Sequence, residues 1–332
     1  MMEITQIGLG LLLLANTTLV MSHHGNAEFN LSEEVRYEGV VLEVSWRNPH
    51  SFVTIQTQTE AGEAITLEIE GGAPTVMRTS GVTADAIMPG DQVVAIVSPS
   101  RRFPKETAYG YEIIKADGSI VPLISARARA QRITESAPEI YGTWVADNAF
   151  GPLVRTRHSW ALTEKGQERY DNYSPVMTPQ ARCIPGSAPW LMAYMVAINF
   201  ENLGDRIAVK SDWMNARRTI YLDGRSHPPG VERFQQGHSV GRFENGVLIV
   251  DTTNYSDQVF GEMATGGGKH TVERFALAGD GKSINYSWML EDPEFMAEPV
   301  SGSFTFSYRP DLELSGMECD IESAERFFRE FQ

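Results

Sequence analysis

The paired histidines His23 and His24 follow an apolar N-terminal segment, and they are the residues of the sequence best suited to bind a metal ion. Residues 7–21 form an apolar run of about fifteen residues, which is typical of a secretory signal peptide and short for a membrane span. Val20 and Ser22 supply small residues at the −3 and −1 positions, so we predict cleavage after Ser22 and His23 as the mature N-terminus. An uncleaved membrane anchor is the alternative, because residues 1–6 contain no Lys or Arg.

His23, His24 and His50 form a candidate metal site. A mature N-terminal His23 presents an imidazole and an α-amine, His24 adds a second imidazole, and His50 follows a rigid Asn48-Pro49 turn. Such a set of nitrogens suits Cu(II), which lies near the top of the divalent affinity order, and less selectively Zn(II). We therefore predict copper, with zinc as the second choice. The alternative is that His50 packs within its turn while the histidine pair belongs to a solvated tail.

The C-terminal half carries a second group of residues, which suits acid–base chemistry. His227 and His238 are candidate bases, and Asp251 and Glu273 are candidate carboxylates that orient them. Facing a barrel cavity, such a group is predicted to isomerise, eliminate or hydrolyse a small apolar molecule. The residues predicted to hold that molecule are Asp223, Arg225, Arg274 and Trp213. The alternative is structural, with Arg225 or Arg274 paired with Asp251 or Glu273, because inward charges must be paired.

Aromatic and methionine side chains are concentrated between residues 190 and 214. Core packing is the expected role, and the alternatives are the lining of an apolar ligand cavity or thioether ligands for Cu(I). The residues are Trp190, Met192, Tyr194, Met195, Phe200, Trp213 and Met214.

Composition narrows the class of protein. The chain has 332 residues, a length typical of about two domains, and its net charge is −15. An acidic surface repels phosphate backbones and no basic stripe is present, so we expect no nucleic-acid partner. The two cysteines, Cys183 and Cys319, either pair across a long loop in an oxidising compartment or remain separate buried thiols.

Alternating apolar and polar residues predict strands throughout the chain. In residues 23–124 the pattern predicts a small antiparallel barrel of five or six strands, of the OB type, with one short helix at 73–80. Residues 125–137 are polar and are predicted to be a linker. Residues 138–332 are predicted to form a larger meandering β-barrel with one helix at 162–170, which Thr163 caps. The fold class is therefore all-β with two barrels, after a signal peptide or anchor at residues 1–22.

Two resemblances accompany these patterns. Residues 22–122 resemble a widespread uncharacterised family of exported bacterial proteins, through His23-His24-Gly25, residues 44–50 (VSWRNPH) and residues 88–91 (MPGD). Gly25 stands where members usually have serine. Residues 138–322 resemble a second uncharacterised exported family, through residues 223–228 (DGRSHP) and 237–243 (GHSVGRF), and Gly142-Thr143-Trp144 resembles the opening of lipocalin barrels. These resemblances imply an exported, bacterial, β-rich protein and little about its chemistry.

The leading functional hypothesis is an exported or periplasmic protein that binds copper at its mature N-terminal histidines and holds a small apolar molecule in its second barrel. An enzyme acting in the C-terminal barrel (an isomerase, lyase or hydrolase) is the first alternative. A membrane-anchored scaffold subunit is the second, and it contacts a membrane only through an uncleaved N-terminal segment.

Overall fold

The first half of the chain folds into a small β-barrel. The computed structural model describes residues 29–59, 61–124, 135–147, 160–174, 177–230, 232–257, 265–316 and 318–328. The strands of the first barrel are β1 (Val35–Trp46), β2 (Ser51–Gln58), β3 (Ala64–Gly71), β4 (Gln92–Pro99), β5 (Thr107–Lys115) and β6 (Ile120–Pro122), and helix α1 (Pro74–Arg78) connects β3 to β4.

The pairing of these strands closes a five-stranded barrel. The order is β3-β2-β1-β4-β5, a parallel pairing of β3 with β5 closes the ring, and β6 extends the outer edge of β5. On β2, residues 51, 53, 55 and 57 are buried while their neighbours are more exposed, as period-two alternation requires. The predicted OB-type barrel and its single short helix are confirmed.

The second half forms a larger barrel in which nine strands follow one another around a closed ring. Helix α2 (Glu164–Asp171) and the single turn α3 (Trp190–Ala193) lie between its first two strands. Thr163 caps α2 by accepting a hydrogen bond from the amide of Gly166, as predicted. The strands are β7 (Gly142–Ala146), β8 (Ala197–Asn202), β9 (Arg206–Ser211), β10 (Arg217–Tyr221), β11 (His238–Glu244), β12 (Val247–Thr253), β13 (His270–Leu277), β14 (Ser283–Glu291) and β15 (Val300–Tyr308).

One pair of neighbouring strands in this ring is parallel. A closed ring with an odd number of sequential strands cannot be antiparallel throughout, and the exception is β10 with β11. Residues 222–237 therefore have to return to the end of the barrel where β10 begins, instead of turning as a short hairpin. Asp223, Arg225 and His227 lie on this connection.

The interior of the second barrel is filled by inward-facing side chains, which form one buried cluster. Trp144 is completely buried on β7, and its indole N–H donates to the carbonyl of Ile140 at 2.9 Å. Trp190, Met192 and Phe200 belong to the same cluster, so the packing interpretation of that region holds for them. The all-β, two-barrel fold class predicted from the sequence is confirmed.

The C-terminal segment connects the two barrels. A disulfide joins Cys183 to Cys319, and the following helix α4 (Ile321–Phe328) starts beside the first barrel. Asn48 forms a bridge with Cys319, and the amide of Asp320 donates to the carbonyl of Asn48 at 2.9 Å. The two cysteines therefore form the bridge that the sequence left undecided. Of the predicted linker, residues 125–134 lie outside the described residues, and the amide of Ala137 donates to the carbonyl of Gly281 in the second barrel.

Candidate functional site

Five titratable side chains form a row on the outer face of the second barrel. His238 lies at the start of β11, Asp251 near the end of β12, His270 at the start of β13 and Glu291 at the end of β14. These positions meet at one end of four adjacent strands, and His227 reaches them from the β10–β11 connection. We call His238, His227, Asp251, His270 and Glu291 the histidine–carboxylate row.

Each member of the row lies within hydrogen-bond distance of the next. Nδ1 of His238 lies 2.9 Å from Nδ1 of His227, and Nε2 of His227 lies 3.0 Å from Oδ1 of Asp251. The other oxygen of Asp251 accepts from Nε2 of His270 at 3.0 Å, and Nδ1 of His270 donates to Glu291 at 2.8 Å. The side chains of the last four members keep between 26% and 38% of their surface exposed, so the row is open to solvent.

The protonation of the row follows from its hydrogen bonds. Hydrogen bonds to Asp251 and Glu291 raise the pKa of His270 to about 9, so at neutral pH it is a cation that donates from both nitrogens. The hydrogen bond from His270 in turn lowers the pKa of Asp251 below its usual range. Burial, with smaller contributions from His227 and Arg225, lowers the pKa of His238. His238 is consequently neutral at physiological pH.

For a neutral His227, we assign the ring hydrogens from these same contacts. His227 donates from Nε2 to the Asp251 carboxylate, so its Nδ1 is a lone pair and accepts from Nδ1–H of His238. Nε2 of His238 is then left with a lone pair and has no hydrogen-bond partner among the described residues. This nitrogen is the basic end of the row.

Aromatic rings and an ion pair lie beside His238. The ring of Tyr221 stacks on His238 with centroids 5.2 Å apart, and Phe234, which is 40% exposed, lies 6.3 Å from it. The guanidinium of Arg225 lies 3.7 Å from the Tyr221 ring centre and donates from Nε to Asp223 at 2.9 Å. Asp223 and Arg225 therefore lie beside the row, and they pair with each other.

Asn254 anchors the connection that carries His227. Its side-chain amide donates to the carbonyls of Pro228, Pro229 and Glu232, the last at 2.9 Å, and its backbone carbonyl accepts from the amide of Phe234. Asn254 is only 6% exposed and adopts a positive φ of 58°, a conformation that asparagine tolerates better than most residues. One buried side chain thus holds both the loop of His227 and the start of the segment leading to His238.

Glu273 lies on the opposite face of β13 from His270 and is not part of the row. It is completely buried inside the barrel, where Nη1 of Arg218 donates to it at 3.0 Å and the hydroxyl of Tyr286 at 2.9 Å. Arg218 also donates to Ser239 and Thr252. The expected pairing of Glu273 or Asp251 with Arg225 or Arg274 is wrong: Arg218 fills that role, and Asp251 is bound by histidines.

The expectation that the acid–base group faces a barrel cavity is also wrong. Successive side chains of a strand point to opposite faces. Ser239, Thr252 and Thr271 are buried inside the barrel, so their neighbours His238, Asp251 and His270 lie on its outer face. Of the remaining predicted ligand residues, Arg274 is exposed on the outer face of β13, and it forms no ion pair within the described part of the chain. Trp213 stacks on Tyr194 with ring centroids 3.8 Å apart, beside the core of the second barrel.

His270 and Glu291 are the members of the row that sequence reasoning missed. They face each other directly in the pairing of β13 with β14, and Asp251 lies diagonally across from His270. Their signal in the sequence is weak, because it appears only when the register of three strands is known. A histidine that starts a strand and a glutamate that ends the next strand are the features to look for.

The metal residues predicted in the first barrel are described in part. His23 and His24 lie outside the described residues. Nδ1 of His50 lies 2.8 Å from a carboxylate oxygen of Glu70, so a titratable partner sits beside the turn. Among the described residues, no group of three or more His, Cys, Asp or Glu side chains has the arrangement of a metal site.

Comparisons with known proteins reach only part of the chain. Residues 11–107 match a family of unknown function, DUF6152, which supports the resemblance of the first barrel to an uncharacterised family. No curated protein matches the sequence. No helix in the described ranges is long and apolar enough to span a membrane.

Proposed function

We propose that the second barrel is an enzyme domain in which Nε2 of His238 acts as a general base. The main supporting observation is the unbroken row of hydrogen bonds from Glu291 to His238. Nε2 of His238 has no hydrogen-bond partner among the described residues, and its ring packs beside Tyr221 and Phe234. A neutral imidazole with such a lone pair accepts protons from carbon, oxygen or water at physiological pH. The reaction class is therefore proton abstraction, as in isomerases, lyases and hydrolases.

The row can pass on the positive charge that His238 gains when it accepts a proton. When His238 takes a proton at Nε2, its Nδ1 proton can pass to Nδ1 of His227 along their 2.9 Å contact. His227 then becomes an imidazolium whose Nε2–H faces the Asp251 carboxylate at 3.0 Å. Asp251 stays ionised because His270 remains a cation beside it. The return of both protons regenerates the starting state, so the row supports a base that later acts as an acid.

Chemical modification of the intact protein tests this assignment without a known substrate. Diethyl pyrocarbonate acylates imidazole nitrogens that are neutral and unpartnered, and mass spectrometry locates the modified residues. At pH 6.5 we expect His238 to react first among His227, His238 and His270, because His270 is a cation with both nitrogens engaged. The rate at His238 should fall only when the pH drops below the ordinary histidine pKa of about 6.5. Faster modification of His270 or His227 would overturn the assignment.

We propose a second activity, binding of copper by His23, His24 and His50 in the exported, cleaved protein, and one chain of contacts favours it. Phe29, the first described residue, packs on Tyr109 with ring centroids 5.6 Å apart, and Tyr109 lies opposite Glu70 in the pairing of β5 with β3. Glu70 in turn contacts His50. His24 is five residues before Phe29, a separation of at most ~17 Å, so the N-terminal arm has the reach that a shared site requires.

A copper titration of the cleaved protein tests this second proposal. His50→Ala should lower the Cu(II) affinity at least tenfold, whereas His227→Ala should leave it unchanged, because His227 belongs to the second barrel. The affinity should also fall as the pH drops through about 6.5, since ligand imidazoles must be neutral. Equal affinities in wild type and His50→Ala would reduce the site to a chelate of the N-terminus alone. N-terminal sequencing of exported protein establishes whether His23 is the first residue.

A further inference from the structure

The charges around His238 disfavour an anionic substrate. Among the described residues, the carboxylates Asp223, Glu232, Asp251 and Glu291 and the cations Arg225 and His270 lie in or beside the row. Arg225 is already paired with Asp223, and His270 is shared by two carboxylates. The whole chain carries a net charge of −15. Phosphorylated and carboxylated molecules are therefore repelled, and an uncharged molecule is favoured.

The surface beside the base is aromatic. Tyr221 and His238 are stacked with an angle of 24° between their planes, and Phe234 extends the same surface with its ring 40% exposed. Phe234 therefore offers an accessible apolar ring next to the base. Rings of this kind bind planar rings by offset or edge-to-face packing.

Arg225 supplies a hydrogen-bond donor next to this surface. Its Nε and Nη2 are engaged by Asp223, while its Nη1 has no hydrogen-bond partner within the described residues. The guanidinium carbon lies 3.7 Å from the centre of the Tyr221 ring, and Asp223 binds two of its nitrogens, so the group is held from two sides. A fixed, unoccupied N–H group beside a base suits an oxygen that gains negative charge during the reaction.

We infer that the substrate is an uncharged, flat ring compound with an acidic C–H bond next to a carbonyl group, such as an aryl or conjugated cyclic ketone. This inference rests on the proposed role of His238 as a base. Nε2 of His238 takes the proton, the C–H electron pair becomes the carbon–carbon double bond of an enolate, and the carbonyl π electrons move to oxygen. Arg225 stabilises that oxygen, and return of the proton to carbon completes an exchange or an isomerisation.

Deuterium exchange provides the test, with 2-indanone as the probe. This ketone is flat, uncharged and carries acidic C–H bonds on both sides of its carbonyl group, and proton NMR in D₂O follows their loss. We expect wild-type protein to accelerate exchange over buffer, and His238→Gln to lower the protein-dependent rate about 10²-fold or more. Phe234→Ala should raise KM about tenfold with little change in kcat, whereas Arg225→Lys should lower kcat.

Two matched variants control for changes of surface composition. Phe243 on β11 is similarly exposed, at 46%, and Arg242 pairs with Glu244 two residues away as Arg225 does with Asp223. Phe243→Ala and Arg242→Lys should leave the exchange rate unchanged. Two further probes isolate the substrate features: cyclopentanone lacks the fused aromatic ring, and phenylpyruvate carries a negative charge.

Each outcome bears on a separate part of the inference. Equal accelerations over the buffer rate for cyclopentanone and 2-indanone would refute selection for a flat ring, and a larger acceleration for phenylpyruvate would refute selection against charge. Absence of exchange that depends on His238, for all three probes, would refute a carbonyl carbon acid as the substrate. That last result would leave the general-base proposal to stand or fall on the modification of His238, which requires no substrate.

Discussion

His270 is the residue whose charge holds the histidine–carboxylate row together. It lies between Asp251 and Glu291, donating to one at 3.0 Å and to the other at 2.8 Å. The two hydrogen bonds stabilise its protonated form and raise its pKa to about 9, against an ordinary value of 6.5. The cation in turn keeps Asp251 ionised, which orients His227 and through it His238. His270 thus influences the position of His238 through Asp251 and His227.

The raised pKa of His270 predicts a stability that declines at alkaline pH. Because the folded-state pKa lies above the unfolded one, the contribution is complete below about pH 6.5 and is lost as the pH rises through about 9. Allowing for its partial exposure, we expect His270→Asn to lower the free energy of unfolding by about 1–2 kcal/mol at pH 6 and by much less at pH 10. Urea unfolding of wild type and His270→Asn at both pH values measures this difference in the free energy of unfolding. The contributions of other titrating groups are nearly the same in the two proteins and largely cancel. A difference that does not change with pH would contradict the assignment.

Replacing Glu273 should have a larger effect on the free energy of unfolding, for purely structural reasons. Glu273→Ala leaves the guanidinium of Arg218, whose side chain is 1% exposed, as an unpaired charge inside the barrel. We expect a loss of about 3–5 kcal/mol in the free energy of unfolding. Replacing both partners, as Arg218→Met with Glu273→Leu, removes the unpaired charge and should recover most of that loss. Urea unfolding of the three proteins checks the order, and a double variant no more stable than Glu273→Ala would contradict it.

At the level of residues, side-chain type points to some members of the row, whereas strand register decides which face of the barrel each side chain occupies. His227, His238 and Asp251 were chosen for their chemistry, and the structure brings them together. Glu273 was chosen for the same reason, yet strand parity turns it inward while His270, three residues earlier, faces out. Arg218 was overlooked because its partner is 55 residues away along the chain. Neither composition nor local spacing contains that information.

At the level of elements, the connection between β10 and β11 determines where the row can form. A parallel pair requires a long return, and residues 222–237 use that length to bring His227 against His238. Gly237 ends the connection at φ +70°, where an added Cβ would lie 2.6 Å from the side chain of Thr252. The alternation that predicts strands is weaker at β11 than along most of the chain. On β11, Gly241, Arg242 and Glu244 weaken the apolar pattern of a strand that is fixed by its partners.

Asn254 is the residue whose replacement should loosen the connection between β10 and β11. Asn254→Gly retains the backbone's preference for positive φ and deletes three hydrogen bonds to loop carbonyls, so we expect a loss of about 1–3 kcal/mol in stability. Asn254→Ala should lose about 1 kcal/mol more, because alanine disfavours that backbone conformation. In both variants the ring ¹⁵N signals of His227 should lose the pattern of a fixed tautomer. A stable variant with unchanged His227 signals would show that the loop holds its shape without Asn254.

At the scale of the whole molecule, the C-terminal segment fastens the first barrel to the second. Cys319 is tied to Cys183 in the second barrel, while its neighbour Asp320 binds the carbonyl of Asn48 and lies 3.7 Å from Arg47. Arg78 on α1 adds a contact with the carbonyl of Glu313, and Arg309 donates to the carbonyl of Thr79 at 2.7 Å. The turn that carries His50 is consequently held by residues more than 250 positions away in the chain. The sequence left the disulfide open because its 136-residue separation gives no local signal.

This arrangement predicts that the disulfide controls the order of the His50 turn. In Cys319→Ser the C-terminal segment loses its covalent tie, so amides in residues 47–51 should exchange hydrogen faster while those of β4, inside the first barrel, keep their wild-type rates. Global stability should fall by about 2–4 kcal/mol, because the bridge closes a long loop. Hydrogen-exchange mass spectrometry of peptides from both regions measures the local effect. Cys183→Ser should reproduce it, because replacing either cysteine removes the bridge.

Asp320→Ala, with the disulfide intact, should raise exchange at the turn to a smaller extent, since it removes the ion pair with Arg47 but retains the backbone bond to Asn48. Unchanged exchange at the turn in both cysteine variants would show that the remaining contacts between the barrels suffice to hold His50 in place.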